Sequence, residues 1–413
     1  MRSESDMMGV GDPRPASRSA SRPTLLALSL GHGCADLCSS ALWALLPFLV
    51  VERHYSYAAV GVFALAASVA GAVLQPLAGA HGDRGESRWL LPIGLVLAGL
   101  GIAAVGMTTS YPLTLVAAVV CSVGVAAYHP EGARWARHAS GSSVAADMSV
   151  FSVGGGVGYA LGPLLVAAVL APLGLHGTVV IAIVPFAAAA AVVTAVRRFH
   201  ERAQKQEPGR MVLRGESEWR PFACLVALFC VGSGVTVGLL TFVPLFLVEA
   251  RSTSPGASNV MSSILLAAAA AGTLLGGIAA QQFGRRLVLI APQLVLVPAI
   301  ALLPSLTYAA MIPVVVLIGI AMNANLAIAL VMAQEYLPTR MGLASGLMIG
   351  LCSGAGGLIV AALGLLGDAY GPAAVLYAIA VLPLGVAALA ALLPRPAAAP
   401  PDTVWSLRLE AER

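Results

Sequence analysis

The chain has 413 residues, 59% of them hydrophobic and only 10% charged, with a mean hydropathy of +0.89. That composition excludes a soluble fold, whose surface so few polar groups could not cover. The net charge of +4 comes from scattered residues and does not mark a nucleic-acid surface.

Residues 1–23 form a polar, Pro- and Ser-rich tail expected to be disordered. Twelve apolar spans follow, each long enough to cross ~30 Å of hydrocarbon. The first six are Thr24–Val51, Tyr57–Ala80, Trp89–Met107, Leu113–Tyr128, Val144–Ala171 and Gly177–Val196. The second six are Phe222–Val248, Val260–Phe283, Leu287–Leu303, Met311–Met332, Leu343–Gly367 and Ala373–Leu393. The first span is too long for a signal-peptide core and is read as a retained helix. The expected architecture is all-α, with lobes at 24–196 and 221–393, a linker at 197–220 and a second tail at 394–413.

Of the 23 Lys and Arg residues, all but Arg53 and Arg251 fall on one side of these spans. The positive-inside bias then places both termini and the linker in the cytosol. A single lysine, Lys205, accompanies the arginines, and alanine is abundant, which points to a GC-rich bacterial genome and an inner-membrane location. The six cysteines all lie inside spans, so no disulfide framework is indicated.

Motifs recur between the halves. Gly82-Asp83-Arg84 follows the second span and Gly284-Arg285-Arg286 the eighth; Ala139-Ser140-Gly141 precedes the fifth and Ala344-Ser345-Gly346 opens the eleventh. Glycine clusters occupy both of those latter helices. A duplicated six-plus-six arrangement is the pattern of two-lobed secondary transporters with a midplane cavity. Polar residues inside spans mark that cavity: His32, Asp36, Ser39 and Ser40 in the first, Ser122 in the fourth, Ser233 and Thr236 in the seventh, Asn323 and Asn325 in the tenth. Spans three, six, nine and twelve are almost purely aliphatic and are expected to face lipid.

Asp36 lies roughly 18 Å into the first span, and a carboxylate at that depth costs at least ~2.5–3.5 kcal/mol. It marks a proton relay, or else a fixed acceptor that holds a neighbouring helix. His32, one turn earlier on the same face, either assists a relay or is a satisfied core histidine. A metal site from the alternating His32, Cys34, Asp36 and Cys38 is not expected, because alternate residues of a helix do not converge on one ion. His129 and Glu131 are placed at the cytosolic end of the fourth span, with Pro130 between them. They serve there as a proton or substrate group, or Glu131 forms a gate salt bridge to Arg134 or Arg137. Asp83 is read as a gate residue that pairs with Arg134 or Arg137 and faces the amino end of the eleventh helix.

The segment Gly79-Ala80-His81-Gly82-Asp83-Arg84-Gly85-Glu86-Ser87-Arg88 resembles the loop motif of the major facilitator superfamily. The glycine-rich run Gly154, Gly155, Gly156 and Gly158, ending at Gly162-Pro163, resembles that family's antiporter motif and is read as helix packing. Within the family, the closest likeness is to fosmidomycin-resistance-type exporters. It is carried by His32 and Asp36, Leu74-Gln75-Pro76-Leu77, Leu91-Pro92-Ile93-Gly94, His129-Pro130-Glu131-Gly132-Ala133-Arg134, Ala139-Ser140-Gly141 and Gly342-Leu343-Ala344-Ser345-Gly346. The general drug–proton antiporter pattern has an arginine four residues before a glycine of the fourth helix. Val120 stands in that place before Gly124, so proton coupling must rest on other groups.

The resemblance, with the cavity pattern, implies a transporter that exports a small drug-like or metabolite molecule in exchange for protons. No phosphate loop, nucleotide fold or clustered catalytic set is apparent, so a monomeric, non-enzymatic, cofactor-free protein is expected. Uptake or release of a sugar, organic acid or siderophore is the alternative within transport, and a non-transporting receptor or scaffold the alternative outside it. No arginine clamp for a strongly anionic substrate is apparent.

Overall fold

The computed structural model describes residues 21–81, 89–140, 144–203 and 217–393. Asp83 and Arg84, the second tail, the first tail up to residue 20 and most of the linker lie outside the described residues. The first lobe comprises α1 (Arg22–Arg53), α2 (Tyr57–His81), α3 (Leu90–Met107), α4 (Tyr111–Ala139), α5 (Val144–Leu173) and α6 (Ile183–Ala203). A 3₁₀ turn at Gly174–Gly177 and one short helical turn separate α5 from α6. The second lobe comprises α7 (Trp219–Arg251), α8 (Pro255–Phe283), α9 (Arg285–Leu302), α10 (Tyr308–Tyr336), α11 (Met341–Tyr370) and α12 (Pro372–Leu392). Helix α10 is broken between Asn323 and Leu326, and α11 carries a π-helical segment at Leu347–Leu351.

The internal duplication extends to individual hydrogen bonds at the end opposite the linker. Helices α1 and α7 both finish in an arginine followed by a left-handed residue, His54 (φ 54°) and Ser252 (φ 51°). Arg53 donates to Gly106 O at 2.7 Å and Arg251 to Pro304 O at 2.6 Å, each closing the C-terminal end of a neighbouring helix or its trailing turn. Ser56 accepts from Ala59 N and Ser254 from Ala257 N, both at 3.2 Å, capping α2 and α8. Tyr111 donates to Ala59 O and Tyr308 to Ala257 O, at 2.8 and 2.9 Å. The arginine bonds and the serine caps satisfy helix-end groups that have no partner within their own helix.

The apolar core is organised unevenly along the bundle. Opposite the linker, one continuous cluster draws on both lobes, including Leu45, Leu49 and Phe63 from the first and Phe242, Phe246 and Val360 from the second. At the linker end the core divides. One cluster, around Leu28, Tyr128, Trp135 and Val192, belongs to the first lobe alone; the other, around Phe222, Leu225, Met332 and Met348, belongs to the second. The lobes therefore share one apolar core at one end and keep separate cores at the other, where α2 still packs against Met341–Leu351 of α11.

Close approach of helices rests on small residues, since burial against lipid offers apolar side chains little net gain. Gly158 of α5 meets the backbone of Gly33 of α1, and any Cβ there would collide with it. Gly154 and Gly162 sit against Ser29 and Ser40 of the same helix. Pro163 is buried within α5.

Candidate functional site

Helix α1 enters at the linker end, so Asp36 lies about 21 Å along its axis. Helix α4 runs the opposite way and ends at Ala139, which sets His129 about 15 Å from the same end. The apolar pattern ends this span at Tyr128; the structure continues the helix for eleven more residues and carries His129 well inside the bundle. Pro130 is accommodated without ending the helix.

His129 Nε2 lies 2.9 Å from Asp36 Oδ1, and His32 Nε2 lies 3.4 Å from Asp36 Oδ2. The carboxylate thus takes one imidazole on each oxygen, the nearer one from another helix. Both Nδ1 atoms are committed: that of His129 donates to Val125 O at 2.9 Å and that of His32 to Phe151 O at 2.9 Å. A carbonyl only accepts, so both Nδ1 atoms carry hydrogen, and a neutral ring would present an Nε2 lone pair to the carboxylate. The 2.9 Å contact therefore needs a proton between His129 and Asp36, on the imidazole or on the carboxyl. The ligand-type atoms of the three residues lie within 4.8 Å of one another.

The surroundings fix this geometry. Phe151 stacks on His32 with ring centroids 4.3 Å apart. Gly155 of α5 leaves the room the pair needs, because a Cβ there would sit 2.5 Å from Asp36 Oδ2. Tyr159 turns its hydroxyl toward Ser39 and Trp43, close to the carboxylate. The side chains of His32, Asp36 and His129 retain 14, 19 and 27% of their exposure, so the cluster is reached from open space rather than sealed.

Glu131 is buried and does not join the cluster. Its Oε1 accepts from Arg134 Nη2 at 2.7 Å and from Trp135 Nε1 at 2.8 Å, all on α4. Arg137 is exposed. Ser122 and Ser39 are half-buried in the first lobe. In the second, Ser233 packs against Gly356 of α11, and Thr236 donates to Gly232 O at 3.4 Å. Asn323 and Asn325 flank the break in α10, the first half-buried and the second buried. The structure thus brings together His32, Asp36 and His129, with Ser39 beside them, and leaves the second-lobe polar residues in their own lobe.

Sequence reasoning missed Phe151 and Tyr159; the glycines flanking them were the available signal, since an aromatic on a glycine-rich helix has space to reach across. A hollow of about 590 Å³ lined by Thr24, Thr194, Arg198 and Phe199 lies between the start of α1 and the end of α6, away from the cluster.

Comparison with known proteins bears on this arrangement. Residues 28–254 and 225–408 match the profile of the Major Facilitator Superfamily. The chain is 30% identical over 372 residues to the fosmidomycin resistance protein of Escherichia coli (strain K12), covering 86% of this chain and 91% of that one. It is 29% identical over 381 residues to an uncharacterised MFS-type transporter of Bacillus subtilis (strain 168), covering 90% and 93%. Among solved structures, a bacterial homologue of the human lysosomal transporter Spinster, inward-facing and unoccupied, superposes with a TM-score of 0.73 at 17% identity, over 89% of this chain and 95% of that one. The nucleoside transporter NupG superposes with a TM-score of 0.65 at 16% identity, over 89% and 98%.

Proposed function

Because this chain belongs to the Major Facilitator Superfamily, a family of multi-pass membrane transporters, we propose that it exports a small drug-like or metabolite molecule in exchange for protons. The observation that carries this reading is the carboxylate of Asp36 held between two imidazoles with a proton to share, in a bundle whose two lobes keep separate cores at the linker end. Asp36 is the principal proton carrier, His129 its nearer partner and His32 the looser one. The linker end is cytosolic, in keeping with the basic residues.

In the cycle, a proton arriving from outside neutralises Asp36 and favours the inward-open arrangement. Substrate binding from the cytosol then promotes release of that proton, and the lobes rock outward. The half-buried Ser39 and Ser122 of the first lobe and Thr236 and Asn323 of the second offer the substrate neutral hydrogen-bonding groups. The likeness to a fosmidomycin resistance protein supports export of a foreign compound. Asp83, with Arg84 beside it, acts as the gate at the linker end.

Transport in inside-out vesicles with an imposed pH gradient tests the reading. Asp36→Asn keeps the size and hydrogen-bonding capacity of the protonated acid but cannot release a proton. Gradient-driven export falls by on the order of a hundredfold or more, while substrate binding and gradient-independent exchange survive at least in part. A variant that still concentrates substrate at the native rate would place the carrier elsewhere.

A further inference from the structure

The lobes meet along two seams, both of which reach the end opposite the linker. In one, α5 faces α8 through small apolar groups: Gly156 lies near Ala270 and Gly256 near Ala167, and a Cβ added at either glycine would stand 3.9 Å from the neighbouring methyl. In the other, α2 faces α11, and Gly61 and Gly364 let the two backbones close on one another. Only this second seam carries a charge among the described residues at that end. Asp368, near the C-terminal end of α11, accepts from Tyr57 N at 2.6 Å through Oδ1 and from Ala58 N at 3.0 Å through Oδ2.

Those two amides are the first of α2, which has no preceding turn to satisfy them. The third, Ala59 N, is capped from within its own lobe by Ser56. One lobe therefore supplies a carboxylate to the positive end of a helix in the other, a favourable charge–dipole contact that exists only while this end is shut. Among the described residues the corresponding start of α8 shows no such partner: Pro255 has no amide hydrogen to offer, and Ala257 N is capped by Ser254. Asn259 Nδ2, which donates to Ala44 O at 3.0 Å, adds the uncharged cross-lobe bond of this end.

We propose that Asp368 is a positioning residue of the transport cycle: its carboxylate caps the amino end of α2 across the lobes and must let go before the end opposite the linker opens. This rests on the alternating-access reading above. Loss of the cap raises the population open at this end, without touching the Asp36 cluster.

The test uses the full-length protein in lipid nanodiscs, with the six natural cysteines replaced and Ala64→Cys as reporter. Ala64 is wholly buried at this seam. Labelling of position 64 by a water-soluble maleimide is timed in the parent and in Asp368→Ala, Asp368→Asn and Asp368→Glu, with thermal stability measured alongside. Asp368→Ala labels about tenfold faster, the population shift that loss of one helix cap carries. Asp368→Asn falls between, and Asp368→Glu returns toward the parent. Equal rates in folded variants overturn the assignment to Asp368 alone. A reporter that stays unlabelled in the parent at every exposure time shows that this end does not open, and overturns alternating access together with the proposal. Should Asp368→Ala fail to fold, the Asn and Glu variants decide by the same comparison.

Discussion

At positions related by the internal repeat, the first lobe holds His32, Asp36 and His129, and the second holds Cys230, Gly234 and Leu326. The spacing that carries Arg53 to Arg251 carries the first two residues to their counterparts, and the spacing from Tyr111 to Tyr308 carries the third. The scaffolding bonds of Arg53, Ser56 and Tyr111 reappear almost unchanged in the second lobe. What differs is the chemistry at mid-depth. Where the first lobe keeps a carboxylate between imidazoles, the second packs Gly234 against Ile359 and sets the thiol of Cys230 3.8 Å from that of Cys352. The repeat thus specifies where helices sit and cap one another, while ionisable function occupies one copy of the frame. A single buried carboxylate cluster is costly enough in hydrocarbon that a second would need its own reason.

After loss of Asp36 itself, the largest expected effect that sharpens this contrast is at its nearer partner. His129→Gln lowers gradient-driven export by at least about tenfold, whereas His32→Gln, whose Nε2 stands 3.4 Å away, lowers it only a few-fold. Vesicle transport at matched protein levels measures both, and the reverse order would make the α1 pair the working unit. Next in size is Gly155→Ala, whose added methyl displaces the carboxylate and lowers export roughly tenfold, as a misplacement of order 1 Å can. In the second lobe Gly277→Ala, with nothing within 4 Å of the new carbon, leaves transport intact and stabilises α8 by up to about 1 kcal/mol. Thermal unfolding paired with transport separates the two.

The smallest effects fall on the shared frame. Arg53→Ala and Arg251→Ala each lower stability by about 1 kcal/mol or less, because each removes carbonyl bonds that water at the helix ends partly replaces. Thermal unfolding of the purified variants checks this. A large loss at one arginine and none at the other would mean that the matched bonds conceal different loads.

Much of the fold was legible in the sequence. Span lengths, basic asymmetry and recurring glycine motifs report physical demands that act locally along the chain: hydrocarbon thickness, interfacial charge and close helix contact. Asp36 was legible for the same reason, as a carboxylate in an apolar helix. His129 was legible as a candidate proton group, but its pairing with Asp36 was not. The run from Pro130 through Glu131, Arg134 and Arg137 reads as the end of a span, yet Glu131 neutralises Arg134 internally and the helix continues. Placing His129 against Asp36 also requires knowing that α1 and α4 pack together, and no pattern within either helix records that. Asp368 was hidden differently: beside a membrane surface a lone carboxylate looks like an ordinary interfacial group, and only the folded arrangement supplies the helix start it meets.

The uneven core makes some damage common property and some private. A cavity cut at Phe242 or Leu45 falls in the apolar mass that both lobes share, so it loosens the whole molecule and the seam between its halves. The same cut at Trp135 or Met332 is confined to one lobe's own core, and the other lobe keeps its packing. Damage at one end is shared by both lobes, and at the other it stays with the lobe that holds the residue.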